Sequence, residues 1–209
     1  MRHPASLVRR QPIPKLFGRR VMLRPLIESD FAAFREVRIR NEEWLLPWEP
    51  KRLAGAADLT RDQSAYNARC AARERERASD HAYPFGVFVD QAFVGEVNLN
   101  NVSRGALQGA SVGYWIDQQR AGKSYIAEAV AVVTKFAFEE LHLHRLEICI
   151  VPRNVKSRRV VEKLSYRCEG TAQRFLEIAG VWEDHARYAI TLEEWNERRA
   201  ELMTAWITG

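Results

Sequence analysis

The segment from Lys123 to Leu143 limits the possible folds more than any other part of the sequence. It reads KSYIAEAVAVVTKFAFEELHL, in which Ala, Val and Phe cover a broad apolar face. A helix with such a wide apolar face must be buried against other elements. The preceding segment, GASVGYWI, has the pattern of a strand, so the sequence predicts a strand, a short turn and a buried helix in that order.

The rest of the chain predicts further strands and helices around this unit. Helices are predicted after Asp30, over residues 59–78, after Asn154 and after Thr191. The further predicted strands are VMLRPL, YPFGVFVD, AFVGEVNLNNV, HRLEICIVP, RCEGTAQRFLEIAG and VWEDHARYAIT. Because strands outnumber helices and the early strands are joined by short turns, we expect an α/β fold of the α+β type. Its sheet would be mixed and covered by helices, rather than doubly wound and parallel.

The composition suits one domain with an added arm. The 209 residues include 32 Lys and Arg against 27 Asp and Glu, a formal net charge of +5. We predict a basic N-terminal arm over residues 1–18, a main domain over 19–197 and a C-terminal helical tail over 198–209. The longest apolar runs fall short of the roughly 20 residues that cross a bilayer, and the arm lacks the apolar region of a secretory signal. With three cysteines at no metal-binding spacing, the expected location is the cytoplasm, with no membrane partner.

The turn between the strand and the buried helix has the features of an anion site. The first turn of a helix leaves backbone N–H groups unpaired and carries partial positive charge. Gly122 permits a positive φ and a close approach of a ligand, while Arg120 and Lys123 add charge. The spacing is neither that of a Walker A loop nor G-x-G-x-x-G. A plain strand-to-helix turn fits these residues as well, and the net charge fits either an anionic partner or ordinary solubility.

Several stretches of the chain resemble one enzyme family. Gln119 and Gly122 match the Q/R-x-x-G-x-G/A motif with which GNAT-fold N-acetyltransferases hold the pyrophosphate of acetyl-CoA, and Ser124 departs from it. The segments NNVSRGALQGASVGYWID, HLHRLEICIVPRNVKSRRVVEKLSYRCEG and GVWEDHARYAIT are similar to the RimJ/RimL group of ribosomal-protein-alanine N-acetyltransferases. The resemblance covers Arg19 to Trp195 and is greatest to the RimJ branch, which acetylates the N-terminal alanine of ribosomal protein S5.

The resemblance implies a GNAT fold, whose central sheet is mixed, mostly antiparallel and splayed, with helices on both faces. It implies direct attack of an amine on acetyl-CoA, a cosubstrate held between the strands ASVGYWI and EICIVP. No metal is implied, and His142 and His144 lack acidic or thiol partners at useful spacing. The cofactor-binding residues predicted in this way are Tyr114, Trp115, Ile116, Gln119, Arg120, Ala121, Gly122, Lys123, Ser124, Tyr125, Asn154, Ser157 and Arg158.

Candidate catalytic groups follow from the reaction, which needs a route for an amine proton and protonation of a leaving thiolate. The resemblance assigns the acid role to Ser157, although Asn154 and Ser157 also suit the cap of a plain helix. Tyr166 is a second candidate acid or a packing aromatic. Glu96 is a candidate base, with a pKa that burial would raise, or a member of a structural ion pair. Bulk water is the alternative base, because an α-amine is already partly neutral near its pKa of about 8.

Three functions remain open at this point. The first is acetylation of the N-terminal α-amine of a protein, with alanine preferred and ribosomal protein S5 as the acceptor; Trp44, Trp48 and Glu49 would form the acceptor wall. The second is acetylation of a small amine or of another protein N-terminus. The third is a non-catalytic CoA- or ribosome-binding module, whose basic surface would contact rRNA in a salt-sensitive manner.

Overall fold

The computed structural model describes residues 15–52 and 54–208, and its centre is an eight-stranded sheet. Across the sheet the strands lie in the order β1-β2-β3-β4-β5-β6-β8-β7. In chain order they are β1 (Leu16–Phe17), β2 (Val21–Arg24), β3 (Tyr83–Val89), β4 (Ala92–Ser103), β5 (Gly109–Ile116), β6 (Arg145–Ile150), β7 (Arg167–Ile178) and β8 (Val181–Thr191). Residues 1–14 of the predicted arm lie outside the described residues, and the unpredicted β1 falls in the remainder of that arm.

The helices follow the predicted order, with one short addition. They are α1 (Phe31–Arg40), α2 (Glu42–Leu45), α3 (Gln63–Ala78), α4 (Tyr125–Glu139), α5 (Val155–Lys163) and α6 (Leu192–Trp206). Single 3-10 turns precede α1, follow α2 and precede α4. α6 crosses the predicted boundary between residues 197 and 198 without a break, and most of the predicted helical tail lies in this helix. In the described part of the chain, no helix is long and apolar enough to cross a membrane.

The sheet is mixed and splayed, as the resemblance implies. Every neighbouring pair of strands is antiparallel except β5 and β6, which are parallel. β5 and β6 pair only from Gly109 opposite Arg145 to Ser111 opposite Glu147. β5 then continues to Ile116 and β6 to Ile150 without further pairing. The two strands therefore diverge and leave a slot between their C-terminal halves.

Helices pack on both faces of this sheet, which confirms the predicted layers. α4 carries the main core, where Val130 is fully buried and the Phe136 ring meets that of Phe85 on β3 edge-on at 5.7 Å. On the opposite face, the rings of Phe34 from α1 and Tyr66 from α3 lie 5.0 Å apart in a second cluster. The wide apolar face predicted for α4 is thus explained by burial against the sheet.

A buried carboxylate ties the start of the sheet to the start of α4. Glu128 lies in the first turn of α4 and its side chain is 1 % exposed. It accepts hydrogen bonds from Arg20 N, from Arg20 Nε at 2.8 Å and from Val21 N at 3.0 Å, and it forms an ion pair with Arg20 Nη2. Arg20 Nη1 in turn donates to the carbonyl of Lys123 at 3.1 Å, so this group also holds the turn before α4.

Candidate active site

A cavity of about 810 Å³ opens where β5 and β6 diverge. Its walls are the end of β5, the turn after it, the first turn of α4, α5 with the residues before it, and α2 with the turn that follows. Glu43 is the one acidic residue among the described residues that line it. The basic lining residues are Arg120, Arg153, Lys156, Arg159 and Lys163. This excess of positive charge favours a ligand that carries several negative charges.

The turn at the end of β5 is fixed by a buried aspartate that the sequence did not single out. Asp117 is 1 % exposed and accepts hydrogen bonds from Arg40 Nη2 at 2.5 Å and Asn41 Nδ2 at 2.8 Å. Asn41 Oδ1 accepts from the N–H of Gln118 at 2.8 Å. Burial alone would raise the pKa of Asp117, but these hydrogen bonds outweigh it and the pKa is lowered. The end of α1 therefore holds the entrance to the turn in place.

The turn itself presents backbone donors to the cavity. Gly122 and Ser124 both have left-handed backbones, with φ of 79° and 63°. Within the described residues, the N–H groups from residue 122 to residue 127 donate to no acceptor of the protein. Ser124 makes no capping hydrogen bond, and its Oγ accepts instead from Nζ of Lys163 at 2.5 Å. Unpaired N–H groups, a helix dipole and nearby cations are features that suit a turn to bind an anion.

At the slot, Ser157 is held by groups from two elements. Its N–H donates to Oδ1 of Asn154 at 3.1 Å, which caps α5. Its Oγ donates to the hydroxyl of Tyr114 at 3.0 Å, and that hydroxyl donates to the carbonyl of Ser157 at 3.0 Å. All three residues line the cavity. The helix-cap interpretation is therefore correct for Asn154, and the same cap leaves the Ser157 hydroxyl at the cavity wall.

Tyr166, the second candidate acid, lies in the core. It is absent from the described cavity lining, and its hydroxyl is 2.6 Å from Oγ1 of Thr134. Thr134 uses its own proton to bond the carbonyl of Val130 at 2.7 Å, so the proton between the two hydroxyls comes from Tyr166. Burial raises the pKa of Tyr166. This placement matches the packing alternative.

Glu96 is a member of a buried ion pair. Its carboxylate accepts from Arg69 Nη2 at 2.6 Å and from Trp115 Nε1 at 3.0 Å. Burial raises its pKa, but the charge and hydrogen bond of Arg69 outweigh that effect and the pKa is lowered. The expectation of a raised pKa for Glu96 is wrong. The sequence does not show that Arg69 lies next to this carboxylate. Glu96 lines a separate cavity of about 160 Å³ beside α3 rather than the large one.

Residues 42–49, which we term the strap, cover one side of the cavity. Trp44 Nε1 donates to the carbonyl of Ile116 at 3.2 Å, and Nζ of Lys156 lies 4.0 Å from the centre of the Trp44 ring. The carbonyl of Glu49 accepts from the N–H of Ala179 at 2.9 Å, at the tip of the β7–β8 hairpin. The strap thus joins β5, α5 and the hairpin, and its aromatic side chains form a wall of the cavity.

Comparison with known proteins identifies the fold and its chemistry. The protein-family model for the acetyltransferase (GNAT) domain matches residues 20–167. The chain belongs to the GNAT acetyltransferase family. Among solved structures, it resembles Mycobacterium smegmatis RimJ in complex with CoA-disulfide, with a TM-score of 0.82, 32% identity, and coverage of 92% of this chain and 93% of that one. As a GNAT protein of the RimJ/RimL type, it is an acyltransferase.

Two curated relatives match over most of this GNAT chain. One is named probable N-acetyltransferase YjcK of Bacillus subtilis strain 168, 36% identical over 177 residues, which cover 84% of this chain and 96% of the relative. The other is the ribosomal protein uS5-alanine N-acetyltransferase of Escherichia coli strain K12, 28% identical over 199 residues. That match covers 91% of this chain and 98% of the relative. The similarity therefore extends beyond the segment matched by the GNAT model.

Most of the predicted cofactor residues of this GNAT chain line the cavity, and three do not. The N–H of Gln119 donates to Asp117 at 3.3 Å, and Nε of Arg158 donates to the hydroxyl of Tyr188 at 3.1 Å. Lys123, the third, is exposed. The predicted residues in the lining are Tyr114, Trp115, Ile116, Arg120, Ala121, Gly122, Ser124, Tyr125, Asn154 and Ser157. Within the described residues, no group of three or more His, Cys, Asp or Glu side chains could hold a metal ion.

Sequence reasoning missed three residues that shape the site. Asp117 had a signal, because an aspartate directly before a turn commonly bonds the backbone two residues on. Asn41 and Lys163 had no such signal in the sequence, since their hydrogen-bond partners, Gln118 and Ser124, lie 77 and 39 residues away in the chain. Such partners become visible only when the fold brings the elements together.

Proposed function

We propose that the protein transfers the acetyl group of acetyl-CoA to the N-terminal α-amine of a protein, with alanine preferred and ribosomal protein S5 as the acceptor. The observation that carries this proposal is the arrangement of one continuous cavity. Its lining brings together the basic turn before α4, the end of β5 that is not paired with β6, and Ser157. The family and the names of the relatives support acetyl transfer and an alanine amine as its target.

The residues of the anion site fit the charged part of acetyl-CoA. The unpaired N–H groups from residue 122 to residue 127 would bind the diphosphate, together with the cations of Arg120 and Lys163. Beyond Ser111, β5 has no partner on the side of β6, so its backbone is free to bind the amides of the pantetheine arm. A volume of about 810 Å³ is large enough for such a ligand.

The chemistry requires one bond to form and one to break. The acceptor nitrogen forms a bond to the acetyl carbon, the bond from that carbon to sulfur breaks, the nitrogen loses a proton and the sulfur gains one. We assign Ser157, which lies at the slot, as the donor of the proton that sulfur gains, and water returns a proton to the serine oxygen. We assign the amine proton to water, because Glu96 is held as a carboxylate by Arg69 outside the cavity lining. An α-amine with a pKa near 8 is partly neutral at physiological pH and needs no strong base.

The strap supports a small apolar first residue in the acceptor. Trp44, Leu45, Pro47 and Trp48 line the cavity with apolar surface. An alanine methyl group gains from such a wall, whereas a charged side chain would lose its hydration there. The ring of Trp48 lies 4.8 Å from the guanidinium carbon of Arg153, which also lines the cavity and pairs with Glu183 of the hairpin, so Arg153 links the strap to the hairpin.

Mass spectrometry of acetyl transfer tests the proposal. Acetyl-CoA would be offered with peptides that begin with Ala, Ser, Met or acetyl-Ala, and with the N-terminal peptide of ribosomal protein S5. We expect one acetyl group on the α-amine of the Ala peptides and none on the blocked peptide. In Ser157→Ala we expect kcat to fall by about 100-fold with acetyl-CoA affinity retained. Binding of acetyl-CoA without transfer to any peptide or small amine would contradict the proposal and favour a non-catalytic module.

A further inference from the structure

We infer that the hydroxyl of Tyr114 is a positioning group for Ser157, in addition to the backbone contacts expected of Tyr114. The inference rests on the proposed function, because it concerns how the group that protonates sulfur is held. Nothing in the sequence links the two residues, which lie 43 positions apart.

The contact is made at two atoms of the same serine. The Tyr114 hydroxyl accepts from Ser157 Oγ at 3.0 Å and donates to the carbonyl of Ser157 at 3.0 Å. The N–H of Ser157 is bound separately by Asn154 Oδ1 at 3.1 Å. One tyrosine oxygen thus fixes both the backbone and the side chain of Ser157. A bond to the carbonyl alone would leave the serine hydroxyl free to rotate.

The contact also spans the slot between two elements. Tyr114 lies on β5 beyond the last residue paired with β6, and Ser157 lies in the first turn of α5, which follows β6. The side chain of Tyr114 packs against the main core, so the ring is not free to swing away. The bond therefore sets the distance between the strand that binds the ligand and the helix that carries the acid.

The direction of the bonds determines what the serine presents. Burial raises the pKa of Tyr114, so its hydroxyl keeps its proton and remains the donor to the Ser157 carbonyl. The tyrosine proton is thereby held in the bond to the Ser157 carbonyl. Of the two hydroxyls, the serine is the one whose proton can turn to another acceptor. When negative charge develops on sulfur, the Ser157 hydroxyl rotates from the tyrosine oxygen toward the sulfur and transfers its proton there, and water then returns a proton to the serine oxygen. Without the tyrosine oxygen, the serine hydroxyl is distributed over three staggered side-chain rotamers.

Tyr114→Phe tests this role, because it removes the hydroxyl and keeps the ring. We expect kcat to fall about tenfold, with KM for acetyl-CoA changed less than twofold. In the Ser157→Ala background, Tyr114→Phe should have no further effect, since the group that it positions is gone. Tyr188→Phe is the matched control: it also removes a hydroxyl that contacts α5, through Nε of Arg158, and neither residue lines the cavity. The control should change kcat less than twofold.

The outcomes separate the positioning role from a structural one and from the proposed function. Thermal unfolding of each variant reports on folding. An equal loss of kcat from Tyr114→Phe with and without Ser157 would overturn the inference, and so would an unchanged kcat. The same variants are compared in the hydrolysis of acetyl-CoA without any amine, a reaction that also needs a proton on sulfur. A protein that hydrolyses acetyl-CoA but acetylates no amine would contradict the proposed function. The effect of Tyr114→Phe would then still be measured in the hydrolysis assay. A wild-type protein that releases no CoA in either assay overturns both.

Discussion

Replacing Glu128 by Gln removes a buried charge without changing the shape of the side chain. The carboxylate is 1 % exposed and accepts three hydrogen bonds, two from the backbone and side chain of Arg20 and one from the backbone of Val21. The amide keeps one acceptor oxygen and turns an NH₂ group toward the remaining donors. The arginine side chain is 43% exposed, so water can still solvate its charge when the partner is lost.

The size of the effect follows from the three bonds. A hydrogen bond to a charged group contributes about 1 kcal/mol more than a neutral one, so three such bonds give a loss of about 3 kcal/mol in the free energy of unfolding. This is at the lower end of the cost of breaking a buried ion pair, because Arg20 is not left buried and unpaired. For a chain of this size, the corresponding fall in Tm is about 6 to 12 °C.

Urea titration and calorimetry measure this loss directly. Glu139→Gln, on the same helix, is the matched control: its carboxylate is 26% exposed and pairs with Arg199 and Lys135 at the surface. A surface pair of this kind contributes less than about 1 kcal/mol. If Glu128→Gln cost no more than Glu139→Gln, the buried hydrogen bonds would not stabilise the junction of β2 and α4, and the reasoning would be refuted.

Three further substitutions test separate parts of the structure. Lys163→Met removes the cation that donates to Ser124, and we expect the Kd for acetyl-CoA, measured by calorimetry, to rise about fivefold; an unchanged Kd would show that this lysine does not help bind the ligand. Tyr166→Phe should cost about 1 kcal/mol in urea unfolding and leave kcat within twofold, whereas a tenfold loss of kcat would return its hydroxyl to the chemistry. The hydrogen bonds and charge of Arg145 lower the pKa of Glu169 to about 2 from an ordinary value of 4.5. The stability contributed by Glu169 is therefore complete above pH 4.5 and lost as the pH falls toward 2; in Glu169→Gln the urea midpoint should vary less with pH over that window, and an identical pH profile would contradict the assignment.

The architecture could be predicted from the sequence because local patterns specified it. The apolar face of α4 required burial, and the order of strands and helices required a mixed sheet. The two-residue β1 is too short to give a periodic pattern. The short helix α2 of the strap lies in a segment rich in Trp and Pro, and that composition does not indicate a helix. The sequence pattern placed Ser124 inside the helical run, yet its backbone is left-handed and α4 begins at the next residue, Tyr125.

The site could be predicted less completely, because its geometry depends on pairs from distant segments. The turn between β5 and α4 could be predicted from local chemistry and the family resemblance. The pKa of Glu96 was predicted in the wrong direction, since Arg69 lies 27 residues away and its approach depends on how α3 packs on the sheet. The bond between Tyr114 and Ser157 could not be predicted for the same reason. Local patterns predicted which residues border the cavity better than they predicted which partner each residue would have.

The short pairing of β5 with β6 has a mechanical consequence. Between the antiparallel five-stranded part of the sheet, from β1 to β5, and the three-stranded part, from β6 to β8, the hydrogen-bonded ladder covers only three residue pairs. An acetyl-CoA arm bound in the slot would bridge the two parts, much as a short extra strand would. Occupancy should then slow hydrogen exchange on both edges of the slot and raise the unfolding temperature with ligand concentration. For this fold, the cosubstrate would act as a structural member as well as a reactant.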